Sequence, residues 1–159
     1  PGQTKMIDRT ARDSLARALR LFASGRITNR DLEQTFIPTD DTGVLAVYDF
    51  AWTLYSDHIR HFARGKHALP SNTKHQIAIV ILFLKTDFEY EETSAVSESP
   101  LKEAIIHVMS RGKRGRSLFQ HERDGMNSRD WSVWPFRDKP QLTACASELA
   151  QSRLGLKPG

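Results

Sequence analysis

Four of the six histidines lie within 18 residues of one another, at His58, His61, His67 and His75, and four carboxylates stand at Asp49, Asp87, Glu89 and Glu91. Three converging imidazoles can hold a divalent metal, and a metal-bound water is a hydrolytic nucleophile, so His58, His61 and His75 define a metal-dependent hydrolase as one expectation. The carboxylates could bind magnesium or act as an acid/base pair. Against both stands a plainer account: His61 pairs with Asp57 one helical turn earlier, His58 is a core histidine, His67 and His75 are solvated, and the carboxylates decorate a helix end. The sequence contains no Gly-rich phosphate loop, HExxH, GxSxG or EF-hand spacing, which lowers the expectation of an enzyme.

Two further groups of residues are suited to binding rather than chemistry. Trp131 and Trp134, flanked by Arg129 and Arg137, combine the residue types that dominate protein interfaces. The competing account places these tryptophans as a lid on the core. Arg111, Lys113, Arg114 and Arg116 form a basic, glycine-interrupted run that could neutralise a few phosphates of a nucleic acid, or simply be a solvated loop. The formal charge of +4 would assist either acidic partner without requiring one.

The elements that must position these groups read as helices. Residues 8–24 alternate Ala11, Leu15, Ala18, Leu19 and Phe22 with Arg9, Arg12, Asp13, Arg17 and Arg20, then meet Gly25, which predicts an amphipathic helix with its arginines in solvent. Thr28 or Asn29 caps a short helix ended by Pro38, and Asp40, Asp41 or Thr42 caps a long one. In the latter, Val44, Val47, Tyr48, Ala51, Tyr55, His58, Ile59 and Phe62 recur three and four apart up to Gly65, predicting one helix through residue 64 with that face buried. Residues 77–84 are all apolar and suit a strand or a helix. The length from Thr73 to Asp87 and a Thr73/Gln76 capping box favour a central helix. Joined by a short breaker, these two helices should run antiparallel, bringing His61 towards His67 and His75, and Asp87 towards Asp49.

Residues 92–99 and 111–130 read as mobile loops, with a helix from Ser99 to Gly112 between them. Two short strands near 117–122 and 130–136 could pair as a hairpin. Asp138 and Pro140 open a last helix carrying Leu142, Cys145, Ala146 and Leu149 on one face. The fold class expected is therefore mainly α: a single-domain bundle, residues 1–159, of about six helices with room for a small β-hairpin in the C-terminal third.

A single cysteine, Cys145, excludes an internal disulfide, and a reducing compartment suits it. With no signal-like N-terminus and no bilayer-length apolar run, a cytoplasmic protein is expected, Met6 reading as the native start after Pro1 to Lys5. The stretches GRITNRDLE at 25–33, WTLYSDHIRH at 52–61, ILFLKTDFEYE at 81–91 and DWSVWPF at 130–136 together resemble an uncharacterised family of small bacterial proteins. The chain departs from that pattern at Ser56, where the family has an acidic residue, and at Glu91 and Glu92, where it has Trp-Pro. The resemblance implies a bacterial, single-domain, cytosolic protein and carries no activity, cofactor or site. The function expected is a non-enzymatic protein-binding module without a cofactor, using Trp131, Trp134, Arg129 and Arg137, with a nucleic-acid binder and a metal-dependent hydrolase as its rivals.

Overall fold

The structure is a computed structural model that describes residues 6–56, 58–91 and 130–153. The described residues form five helices: α1 (Arg9–Ala23), α2 (Asn29–Glu33), α3 (Thr42–Trp52), α4 (Ser71–Leu84) and α5 (Lys139–Arg153), with one 3-10 turn at Gly65–His67. The chain divides into two compact units, Pro1–Tyr90 with Trp131–Gly159, and Glu91–Asp130. The second unit falls almost wholly outside the described residues. So do the expected helix from Ser99, the expected strand at 117–122, and the side chains of Asp57, Arg111, Lys113, Arg114, Arg116 and Arg129.

Helix α1 begins where Asp8 accepts the Ala11 amide at 2.9 Å, and that bond holds the Asp8 carboxyl below its ordinary range. It ends in paired reverse bonds, Gly25 N to Phe22 O and Arg26 N to Leu21 O, both 2.8 Å. That closure requires a left-handed residue, and Gly25 has φ +68°. The apolar stripe of α1 packs against α3 and α4, and Leu19, Phe22, Val47, Val80 and Leu84 are sealed from solvent between them.

The apolar run at 77–84 is helical, as its length favours. Its start differs from expectation. The helix opens at Ser71 after Pro70 with no side-chain cap, and Gln76, instead of closing a capping box, donates to the Trp134 carbonyl at 2.7 Å. Its C-terminal carbonyls are met by arginines. Arg9 donates to Leu84 O and to Thr86 O at 2.9 Å, and Arg12 donates to Thr86 O at 2.8 Å, satisfying acceptors the helix leaves open. Arg12 is thus a core residue and not the solvated one its position on the polar stripe predicts.

Three further expectations are corrected. Helix α3 stops at Trp52, not at residue 64, and Tyr55, His58, Ile59 and Phe62 belong to an irregular loop. Phe62, expected in the core, is 46% exposed. Residues 131–136 form a run of tight turns, and among the described residues there is no strand, only an isolated bridge between Thr28 and Phe62. In α5, which Asp138 caps by accepting the Gln141 amide at 2.8 Å, Cys145 is buried while Ala146 and Leu149 of the expected face are exposed. No described helix is long and apolar enough to cross a membrane.

Candidate functional site

The segment after α3 is held by one side chain. Asn29, the first residue of α2, has no exposed surface. Its amide nitrogen donates to the carbonyls of Ser56 (3.2 Å) and Ile59 (3.0 Å), its oxygen accepts the His61 amide (2.9 Å), and its own backbone N–H donates to the His61 carbonyl (3.1 Å). An asparagine side chain offers two donors and an acceptor, and here every kind is used on the loop backbone. These bonds, together with the Phe50 and Ala51 carbonyls that take the Thr53 and Leu54 amides at 3.0 and 3.1 Å, close α3 early despite its helical spacing. The loop carbonyls that a longer helix would have paired internally are paired with Asn29 instead.

Thr28 and Asp31 reinforce the clamp. They form a reciprocal capping box on α2, and Arg60 reaches back to both, at 3.2 Å to the Thr28 hydroxyl and 3.1 Å to the Asp31 carboxylate. Hydrogen bonds from Thr28 hold the Asp31 carboxyl below its ordinary range, with Arg60 adding to the effect. A chain of ring contacts stiffens the same region: Phe36–Tyr48 at 4.3 Å, Tyr48–Trp52 and Trp52–Tyr55 at 6.1 Å, Tyr55–His61 at 6.4 Å and His61–His67 stacked at 4.2 Å. Ala63 and Leu69 are buried and fix the far side of the loop.

What this pinned loop displays is apolar and cationic. Ile59 is 51% and Phe62 46% exposed, and the Arg64 guanidinium lies 5.7 Å from the centre of the Phe62 ring, within cation–π range. Arg26, Arg60, Arg64, Lys66 and Lys74 are exposed. Residues 58–86 contain no Asp or Glu.

Among the described residues, His58, His61, His67 and His75 do not assemble as a metal centre. His61 and His67 stack face to face, His58 is exposed on the loop, His75 is exposed on α4, and among the described residues no three His, Cys, Asp or Glu side chains stand close enough to hold an ion. Burial, followed by the neighbouring His61 and Lys66, pushes the His67 imidazole below its ordinary value. The carboxylates are also apart. Asp87 is held by Arg9 at 3.0 Å, just past the end of α4, where Arg12 donates both to the Thr86 carbonyl and to Asp41. Asp49 lies about two turns along α3 from Asp41. The start of α3, at Gly43 and Asp41, lies by the end of α4, at Phe83 and Thr86, so Asp87 stands nearest Asp41 and not Asp49.

Beside the loop, Glu33 accepts from Arg30 at 3.0 Å, and its backbone carbonyl accepts from the Tyr48 hydroxyl at 3.2 Å. Burial first, and then the Glu33 charge, pushes the Tyr48 and Tyr55 phenols far above neutrality. Both are neutral hydroxyls with a positioning role, unsuited to act as bases.

The aromatic group at 131–136 is largely interior. Trp134 is only 4% exposed. It packs 5.3 Å from Phe50 and 5.2 Å from Trp131 and donates its indole N–H to the Tyr90 hydroxyl at 3.2 Å, while Phe136 meets Phe83 at 5.5 Å. Trp134 is therefore a core residue, and Trp131 is half-buried against Phe50. Arg137 is exposed and paired with Asp138 at 3.3 Å. The exposed loop at 58–67 was missed because its residues match a helical period. The usable signal was Asn29 directly after Thr28, at a position where a buried amide needs backbone partners.

The stretches 25–33 and 52–61 meet at the Asn29 clamp, and 81–91 and 130–136 meet around Trp134. No protein-family model matches the chain, no curated protein matches it, and no solved structure matches it.

Proposed function

We propose that this chain is a non-enzymatic protein-binding module of a small bacterial protein, and that its contact surface is the loop 58–67 rather than the tryptophans at 131 and 134. The observation that carries this is a pair of large apolar side chains, Ile59 and Phe62, each about half exposed on a loop whose backbone is fixed by Asn29. Apolar surface held out in water on a rigid support is costly alone and useful in an interface, because a preorganised loop loses little entropy on binding. Arginine beside an aromatic ring, as at Arg64 and Phe62, is a frequent composition of interface hot spots.

The test is capture of a partner by the immobilised chain from bacterial extract, compared with Ile59→Ala and Phe62→Ala. The expected result is a specific protein held by the parent chain and lost with either variant, at unchanged melting temperature. Retention by both variants would refute the assignment.

A further inference from the structure

Resting on the reading of loop 58–67 as a protein-contact surface, we infer that the partner presents an acidic segment, whose carboxylates meet Arg26, Arg64 and Lys66 while an apolar side chain packs on Phe62 and Ile59. The charge distribution is one-sided there. From residue 58 to residue 86 the sequence has no acid, and among the described residues no carboxylate pairs with Arg26, Arg64, Lys66 or Lys74; Arg60 is the cation of this group already held, by Asp31 at 3.1 Å. Arg26 is exposed and directly follows Gly25, which lies against the Arg64 side chain so closely that a β-carbon would sit 2.5 Å from it, so the Arg26 backbone stands beside Arg64. Unpaired cations beside exposed apolar groups fix both the charge and the amphipathic character of what docks.

A single-stranded nucleic acid would also favour cations and an aromatic ring. One feature favours protein over it: Ile59, an aliphatic side chain 51% exposed, offers no stacking face to a base but does offer a packing surface to an apolar side chain.

The experiment uses the full chain and three fluorescent probes: a short peptide alternating Glu with Leu, the same peptide with Gln for Glu, and a thymidine oligonucleotide. The Glu peptide should bind about tenfold more tightly than the Gln peptide at low salt, a gap that closes as salt shortens the screening length. Lys66→Glu with Arg26→Glu should abolish that gap, and Phe62→Ala should weaken both peptides. Equal binding of the two peptides, no binding of the Glu peptide, or binding of the oligonucleotide alone overturns the inference. Failure here is separable from failure of the module itself: a partner captured through Phe62 yet indifferent to Lys66→Glu and Arg26→Glu leaves the module standing and removes only its acidic partner.

Discussion

Arg12 and Asp41, 29 residues apart, form a buried two-point ion pair: Nε to Oδ2 at 2.6 Å and Nη2 to Oδ1 at 3.0 Å, with 1% and 2% of their surfaces exposed. Neither charge is left with only the other. Asp41 also accepts from the backbone of Asp8, Gly43 and Val44, Arg12 donates to Thr86 O, and its guanidinium lies 5.2 Å from the Phe83 ring centre. One contact thereby ties the starts of α1 and α3 to the end of α4.

Removing one partner strands the other charge without water, so Arg12→Met and Asp41→Ala should each cost about 3–5 kcal/mol. Chemical denaturation should show the double variant much less destabilised than the two single losses added together. Additive losses would mean the two groups act independently.

Asn29→Asp replaces a donor by an acceptor facing the Ser56 and Ile59 carbonyls. With two buried bonds lost, the cost should be about 1–3 kcal/mol or more. Amide exchange at His61, whose N–H donates to the Asn29 oxygen, should accelerate in the variant while exchange in α4 changes only with global stability.

Gly25→Ala forces a β-carbon into a left-handed conformation at φ +68° and against the Arg64 side chain. The strain should lower stability by about 1–2 kcal/mol. Pairing it with Arg64→Ala, which empties the space but leaves the backbone angle, should restore only part of that loss in a thermal melt.

His67 sets a pH dependence whose sign follows from its depressed imidazole. As pH falls through the ordinary value of 6.5, the unfolded chain takes up a proton that the folded His67 refuses, so stability falls; above that value the residue contributes no slope. His67→Asn should flatten the melting temperature just below pH 6.5, and proton NMR of the parent chain should show the His67 ring titrating below the ordinary range.

Trp134→Ala should cost about 3–5 kcal/mol, as for any large core aromatic, whereas Phe62→Ala should change stability by under about 0.5 kcal/mol, as for an exposed position. Denaturation curves of the two variants side by side show which aromatic belongs to the core, and the opposite ranking would place Phe62 there and Trp134 at the surface.

Much of the architecture was legible from local chemistry. The Thr28, Asp41 and Asp138 caps, each among the candidates the pattern offers, the Gly25 stop and the helical state of 77–84 all follow from bonds and packing that operate within a few residues, which is the range over which sequence pattern carries information. The end of α3 was not legible, because Tyr55, Ile59 and Phe62 keep the helical period while a side chain 27 to 32 residues earlier, Asn29, takes their backbone. Nor was the burial of Arg12 or of Trp134, since a long cationic or aromatic side chain carries no local mark of which far carbonyl or ring will meet it. Periodicity assigns a side chain to a face; only tertiary contact decides whether that face meets water, and here it moved the exposed apolar surface from residues 131–134 to Ile59 and Phe62.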